Sequence, residues 1–125
     1  MSNPIVRSLR LEISPLTADA IEALLQGNVE RLRALAGADF PEPLTPPPYM
    51  AESLPEVLTR LRKYPAEAQW WNWLVVRRDT REVVGSIALG GRPDAFGAVL
   101  IGYAMYPGRE GHGYATEAVR AMMDW

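Results

Sequence analysis

The sequence predicts one α+β domain, with a sheet flanked by helices, over residues 1–125. Three observations predict this class. An alternating pattern over residues 8–13 precedes two short helical segments, and the β-rich runs 69–78 and 83–89 are joined by a short turn. Residues 99–125 then read as a strand, a glycine turn and an amphipathic helix. A composition of 48% hydrophobic and 22% charged residues is typical of a soluble globular domain.

Charge and cysteine content exclude several kinds of partner and chemistry. Thirteen basic and fifteen acidic residues give a net charge of −2, so we expect no nucleic-acid and no membrane partner. The absence of cysteine excludes disulfides and thiol nucleophiles. His112 is the only histidine and cannot build a metal site or a catalytic triad, so we expect no metal. The N-terminus lacks a secretory pattern, and we expect a cytoplasmic protein.

The N-terminal part predicts a half-buried strand and two capped helices, the second over residues 29–36. Pro15 is expected to stop the strand. The residues expected to face inward are Leu9, Leu11 and Ile13 in the strand, and Ile21, Leu24 and Leu25 in the first helix. The residues expected to cap and end the helices are Thr17 and Gly27 for the first, and Asn28 and Gly37 for the second.

The central part predicts a third helix and a β-hairpin. Ser53 and Glu56 form a capping box, and Pro65 ends the helix that it opens. The residues expected on the inward side of this helix are Leu54, Val57, Leu58, Leu61 and Tyr64. The run 69–78 is a strand by its aromatic and β-branched content. Alternation places Trp71, Trp73 and Val75 on one of its faces, and Trp70, Asn72, Leu74 and Val76 on the other.

The stretch from Val99 onward carries the strongest functional signal. Its strand is apolar on both faces, which favours an interior position in the sheet, and Pro107 ends it. Three glycines follow before an amphipathic helix that begins at Tyr114. The inward helical positions are Ala115, Ala118, Val119 and Met122, while Glu117 and Arg120 pair on the solvent side. Glycines let the backbone approach an anion, and N–H groups at the helix start would bind it. The alternative is a plain strand-to-helix connection without a ligand.

Residues 101–118 resemble the acetyl-coenzyme A signature of the GNAT superfamily of N-acetyltransferases, and are most similar to its Rim-type branch (ribosomal-protein N-terminal acetyltransferase-like). Gly113 and Ala115 fill the fourth and sixth places of that signature. The first place, where the family has Gln or Arg, holds Glu110. A carboxylate beside a diphosphate is repulsive, so we hypothesise that Arg109 supplies the positive charge instead.

The resemblance implies a fold, a cosubstrate and a set of contacts. The fold would be an α/β three-layer arrangement with a mixed, mostly antiparallel sheet flanked by helices, truncated after the helix that follows the glycine turn. Acetyl-CoA would donate its acetyl group directly to a primary amine, either a protein N-terminus or a small molecule. The residues implied to contact the coenzyme are Tyr103, Ala104 and Met105 at the pantetheine arm, Arg109, and Gly111, His112, Gly113, Tyr114, Ala115 and Thr116 around the diphosphate.

Acceptor contacts and catalytic groups are less defined. The proline-rich segment 37–50 is either a lid over the acceptor cleft, with Phe40 and Tyr49 as contacts, or a spacer between helices. Trp71 and Trp73 are acceptor-pocket candidates, although core packing is the more frequent use of tryptophan. The strand at residues 99–106 carries no acidic residue, so no catalytic base or acid is assigned.

Three alternatives remain open at this stage. The strand at residues 99–106 would be left as an uncovered sheet edge, so either a second copy pairs with it in a homodimer or the chain is a fragment of a longer protein. A non-catalytic acyl-CoA-binding or oligomerisation module, or an inactive fragment of a longer acetyltransferase, is the alternative to an active enzyme. A dinucleotide-binding domain is disfavoured because the glycines follow the last strand rather than the first.

Overall fold

The structure, a computed structural model, describes residues 4–41, 44, 52–89, 101–109 and 111–123. The strands are β1 (Val6–Arg7), β2 (Leu11–Pro15), β3 (Asn72–Arg77), β4 (Val83–Leu89) and β5 (Ile101–Met105). The helices are α1 (Ala18–Gln26), α2 (Val29–Ala36), α3 (Leu54–Lys63) and α4 (Tyr114–Met123), with a 3-10 helix at Pro65–Trp70. None of the helices in these ranges is long and apolar enough to cross a membrane.

The five strands form one sheet in the order β1-β2-β3-β4-β5, and every neighbouring pair is antiparallel. A register shift between Val75 and Val76 marks the one irregularity in the β3–β4 pairing. Asp39 and Glu82 add an isolated parallel bridge. β5 therefore has β4 on one side and, within the described ranges, lies at the edge of the sheet.

Each face of the sheet carries its own hydrophobic cluster. On one face, α1, α2 and α3 pack against Leu74, Val76, Val83 and Tyr106. On the other face, α4 places Tyr114, Ala118 and Met122 against a cluster that includes Leu11, Ile13, Trp73, Val75, Ile87 and Met105. The alternation of β3 and β4 side chains feeds both clusters, as expected for strands covered on two sides. This confirms the predicted α+β three-layer fold with helices on both faces.

Local capping residues set the helix bounds in the N-terminal half. The Thr17 hydroxyl accepts a hydrogen bond from the Ala20 N–H, and the Asn28 amide oxygen accepts one from the Arg31 N–H, both at 3.2 Å. Gly27 and Gly37 end their helices in the left-handed conformation, with φ of 70° and 67°. These predicted caps and bounds are confirmed. The capping box predicted for α3 is wrong at Ser53, because the Ser53 side chain makes no capping hydrogen bond.

Three positions expected to face inward are exposed. Leu9 is 89% exposed because it lies in the turn between β1 and β2, where the Ser8 N–H donates to the Leu11 carbonyl. Leu25 on α1 is 41% exposed and Tyr64 after α3 is 50% exposed. Strand β2 also runs through Pro15, which pairs with Trp73, rather than stopping before it.

The strand predicted over residues 69–78 begins three residues later than expected. Residues 65–70 form the 3-10 helix, and Trp71 follows it with φ −121° and ψ −106°, outside the extended region. This bend breaks the alternation. Trp71 consequently packs against the α1–α3 cluster and Trp70 against the α4 cluster, the reverse of the expected faces. From Asn72 onward the predicted alternation holds.

The interior position expected for β5 is also wrong within the described residues. Tyr103 is 59% exposed and Gly102 is exposed, since no described strand lies beyond β5. Gly102 pairs regularly with Ala88 on β4. The exposed edge leads directly into the glycine turn.

Candidate functional site

A cavity of about 590 Å³ lies where β5 ends and α4 begins. Its lining combines the C-terminal half of the strand, the turn and the first turn of the helix. The lining residues are Tyr103, Ala104, Met105, Pro107, Arg109, Gly111, Gly113, Tyr114, Ala115 and Thr116. Every residue that the sequence assigned to coenzyme contact is among them except His112. Their binding of a coenzyme remains a prediction, but the fold gathers them around one opening.

Pro107 lines the cavity and was not among the predicted contacts. The sequence marked it only as the residue that ends the strand. The sequence did contain a signal for this contact. Pro107 lies between Met105 and Arg109, which were both predicted to contact the coenzyme, so the chain that connects them passes the same opening.

The glycine turn has a backbone that other residues adopt only with strain. Gly108, Gly111 and Gly113 have φ of 85°, 80° and 78°. Space around the first two is open, because a Cβ added at Gly108 or Gly111 would meet no atom of the described residues within 4 Å. Gly111, His112 and Gly113 are exposed, so among the described residues no side chain covers this part of the turn.

Helix α4 presents its amino terminus to the cavity. The first hydrogen bond of the helix runs from the Glu117 N–H to the Gly113 carbonyl, at 3.1 Å. The N–H groups of Tyr114, Ala115 and Thr116 precede that bond, so the helix supplies no acceptor for them. Such groups and the helix dipole favour an anion at this end.

The charge of Arg109 is already engaged. Its guanidinium donates to Glu82 on both carboxylate oxygens, at 2.5 and 2.8 Å, and hydrogen bonding from Arg109 lowers the pKa of Glu82 against the opposing effect of burial. The hypothesis that Arg109 supplies the positive charge missing at Glu110 remains a prediction, since the residue lines the cavity but its guanidinium is paired with Glu82. Glu110 lies outside the described residues.

A second charged cluster fastens the glycine turn to the β1–β2 turn. Glu117 accepts from the Ser8 hydroxyl at 2.5 Å, from the Arg10 N–H at 2.9 Å and from Arg10 Nε at 2.6 Å. The solvent-side pairing with Arg120 is thus wrong, and the Glu117 side chain is only 19% exposed. Burial alone would raise the pKa of Glu117, but the hydrogen bonds from Ser8 and Arg10 outweigh it and lower the pKa.

His112 takes part through its backbone rather than through the cavity lining. Its carbonyl accepts from Arg10 Nη1 at 2.9 Å, and its ring stacks on Tyr114 with centroids 5.3 Å apart. The Arg10 guanidinium lies 4.8 Å from the centroid of the same Tyr114 ring. No sequence signal pointed to Arg10, which lies far from residues 112–117 along the chain.

Of the acceptor candidates, Trp73 is excluded by its burial. It is fully buried and its indole N–H donates to the Gln69 carbonyl at 2.9 Å, so it is a core residue. Phe40 is half-buried and packs against the α1–α3 cluster. Trp71 is half-buried, and Tyr49 lies outside the described residues, together with most of the proline-rich segment.

Two buried donors stand together at the start of β3. The indole nitrogen of Trp71 and the amide nitrogen of Asn72 have no hydrogen-bond partner among the described residues, and Asn72 is 4% exposed. Burying such a group costs about 1–3 kcal/mol. The sequence signal for a buried polar group here is Asn72, an asparagine inside an aromatic strand. No cluster of metal-ligating residues occurs within the described ranges.

Comparison with known proteins gives the family. The model of the acetyltransferase (GNAT) domain matches residues 10–125. A curated relative, the uncharacterized N-acetyltransferase YjdG of Bacillus subtilis (strain 168), is 33% identical over 54 residues, which cover 43% of this chain and 32% of that protein.

Solved acetyltransferases share the fold. A putative ribosomal-protein-serine acetyltransferase from Vibrio cholerae superposes with a TM-score of 0.58 at 22% identity, covering 98% of this chain and 67% of that one. An acetyltransferase from Salmonella typhimurium, described as modifying the N-terminal serine of ribosomal protein L7/L12, gives 0.57 at 18% identity, covering 97% and 66%. The chain thus spans about two thirds of the solved relatives and a smaller part of the curated one. With a family model matching nearly its full length, the chain belongs to the GNAT acetyltransferase family.

Proposed function

We propose that this chain binds acetyl-CoA in the cavity between β5 and α4 and transfers the acetyl group directly to a primary amine. The observation that carries the proposal is the cavity of about 590 Å³ whose lining joins the exposed strand edge to an open glycine turn and a helix amino terminus. Family membership supports the same donor.

The cavity residues fit the coenzyme chemically. The N–H groups at the start of α4 and the positive-φ glycines suit a diphosphate, which needs several backbone donors at close range. The exposed β5 edge, whose Tyr103 is 59% exposed, offers strand-type hydrogen bonds to the amide-bearing pantetheine arm. Between these two parts the turn is open at Gly108 and Gly111, where a Cβ would meet no atom of the described residues within 4 Å.

The transfer itself asks little of the protein beyond placement. A neutral amine attacks the thioester carbonyl carbon, the new C–N bond forms as the C–S bond breaks, coenzyme A leaves as its thiolate, and the proton lost by the amine nitrogen balances the one that the thiolate takes up. Positioning two reactants in one site replaces a bimolecular encounter, which supplies a large share of the rate. The amine proton requires a base or water chain, and we assign no residue to it.

Calorimetry with CoA and with NAD tests the coenzyme site. Thr116 is exposed and lines the cavity at the helix start, so Thr116→Glu would place a carboxylate against the diphosphate. We expect this variant to weaken CoA binding roughly tenfold or more, and Thr116→Gln, of the same size but neutral, to weaken it much less. An acidic residue in the first turn also suits the helix dipole, so loss of binding would not reflect unfolding. Binding of NAD but not CoA would overturn the proposal.

Turnover is measured separately, as thiol release from acetyl-CoA in the presence of amines. The Salmonella relative is described as acting on a protein N-terminus, so a peptide with an N-terminal serine is the first acceptor to offer, beside an amino sugar and a polyamine. Acceleration by one class over the others assigns the acceptor. Binding of CoA with no acceleration by any of them would instead favour the non-catalytic acyl-CoA-binding alternative.

A further inference from the structure

We propose that Arg10 is a positioning residue that aims the Gly113 backbone N–H into the cavity, an inference that rests on the proposed function. Arg10 lies just before β2, far from the turn in sequence, and it is not among the cavity-lining residues. Its effect on ligand binding would therefore be exerted through the backbone that it holds.

The contacts of Arg10 all converge on the glycine turn and the start of α4. Its Nη1 donates to the His112 carbonyl at 2.9 Å, and its Nε donates to Glu117 at 2.6 Å. Its guanidinium also lies over the Tyr114 ring, 4.8 Å from the centroid. One planar group thus fixes three points spaced along six residues, which a lysine with a single ammonium cannot reproduce.

The geometry of a peptide unit links this carbonyl to the cavity. The His112 carbonyl and the Gly113 N–H belong to one planar trans peptide, so they point in opposite directions. Because Arg10 draws the carbonyl to its side, the N–H is directed away from Arg10. Gly113 itself lines the cavity. An anionic oxygen of the diphosphate would then accept a hydrogen bond from the Gly113 N–H.

Close packing leaves this peptide little freedom. A Cβ added at Gly113 would lie 3.4 Å from Arg10 Nη2, so the guanidinium lies beside this glycine. Glu117 holds Arg10 from the other side, and the Ser8 hydroxyl fixes Glu117 in turn. Without Arg10, the flexible glycine could rotate the peptide and turn its N–H away from the ligand.

The experiment compares Arg10→Met with a matched control, Arg78→Met. Arg78 also donates from its guanidinium to a carbonyl of the β1–β2 turn, that of Ser8 at 2.9 Å, but no contact joins it to the glycine turn in the described residues. Calorimetry measures the dissociation constants of CoA and of pantetheine, which lacks the diphosphate. We expect Arg10→Met to weaken CoA roughly tenfold or more while pantetheine changes little, and Arg78→Met to preserve the ratio of the two.

A second readout, which observes the Gly113 amide directly and needs no coenzyme, accompanies the affinities. In protein labelled with ¹⁵N-glycine, titration with inorganic pyrophosphate should shift the Gly113 amide resonance in the wild type and in Arg78→Met, but not in Arg10→Met. Arg10→Lys should give an intermediate CoA affinity, since it keeps the charge and loses one of the two hydrogen bonds.

The outcomes separate this inference from the proposed function. If the wild type binds CoA and Arg10→Met weakens CoA and pantetheine equally, or leaves both unchanged, the positioning role is wrong and the coenzyme site stands. If Arg10→Met unfolds, Glu117→Leu, which removes both oxygens that hold Arg10, replaces it in the same comparison. If the wild type itself shows no CoA binding and no Gly113 shift with pyrophosphate, both fail.

Discussion

The carboxylate of Glu82 holds the Arg109 guanidinium through two hydrogen bonds, from Nε at 2.5 Å and from Nη2 at 2.8 Å. Arg109 lines the cavity, whereas Glu82 precedes β4 and bridges to Asp39. At the site proposed for a highly charged ligand, the positive charge of Arg109 is therefore already balanced by the carboxylate of Glu82. A charge that is already compensated contributes little long-range attraction.

Removing the Glu82 charge should strengthen coenzyme binding. Glu82→Gln leaves Arg109 with its full positive charge beside the cavity, and we expect the dissociation constant of CoA to fall by roughly threefold to tenfold at low salt. The gain should shrink as salt is raised, which calorimetry at two ionic strengths measures. Arg109→Gln should do the opposite and weaken CoA binding, since it leaves the Glu82 carboxylate unpaired beside the cavity. Weaker binding by Glu82→Gln would mean that the pair orients Arg109 productively.

A glycine in β4 should be intolerant of any side chain. A Cβ at Gly85 would lie 2.4 Å from the Ala104 carbonyl oxygen and 2.6 Å from Met105 Cε, in the adjoining strand β5. Since the clash involves backbone, we expect Gly85→Ala to lower the free energy of unfolding by about 3 kcal/mol, measured by urea denaturation.

The control for that variant is a glycine in the next strand. A Cβ at Gly102 would meet no atom of the described residues within 4 Å, so Gly102→Ala should cost nothing or gain up to about 1 kcal/mol through lower chain entropy. Equal destabilisation by both substitutions would contradict the packing of β5 on β4.

Acid should destabilise the fold partly through Glu117. Its pKa is lowered in the folded chain, so the unfolded chain takes up the proton first as pH falls through its ordinary value of 4.5. The stabilisation is present above that value and is lost progressively below it. We expect Glu117→Gln to flatten the decline of unfolding free energy between about pH 5 and pH 3, measured by urea denaturation across that range. Identical slopes for variant and wild type would contradict the contacts with Ser8 and Arg10.

Most of the fold could be predicted from signals between residues that are neighbours in the sequence. The bounds of α2 follow from Asn28 and Gly37, which act on their own neighbouring backbone, and those of β4 follow from a mostly apolar, β-branched run that begins after a turn. The lining of the cavity was likewise predictable, because strand, turn and helix start are consecutive in the chain. Leu9 was misplaced because its apolar side chain lies in a tight turn, where backbone hydrogen bonding outweighs hydrophobic alternation.

The features that could not be predicted depend on contacts between residues distant in the sequence or on a local bend of the chain. Arg10 and Glu117 are separated by 107 positions, and no periodicity can pair them. The tryptophans were exchanged between faces because a 3-10 turn ends at Trp70 and bends the chain at Trp71. Arg109 was expected to face a ligand, and its pairing with Glu82 depends on how β4 enters the sheet beside the glycine turn.

Those neighbouring tryptophans make a matched test of the corrected assignment. Trp73→Phe leaves a gap in the core and deprives the Gln69 carbonyl of its donor, so we expect a loss of about 2 kcal/mol in the free energy of unfolding. Trp71→Phe removes a buried N–H that has no partner among the described residues, and should change stability by less than about 1 kcal/mol. Because only Trp71 is partly exposed, it alone of the two could alter the KM for an amine acceptor. A raised acceptor KM in Trp73→Phe with unchanged stability would return that residue to the acceptor site.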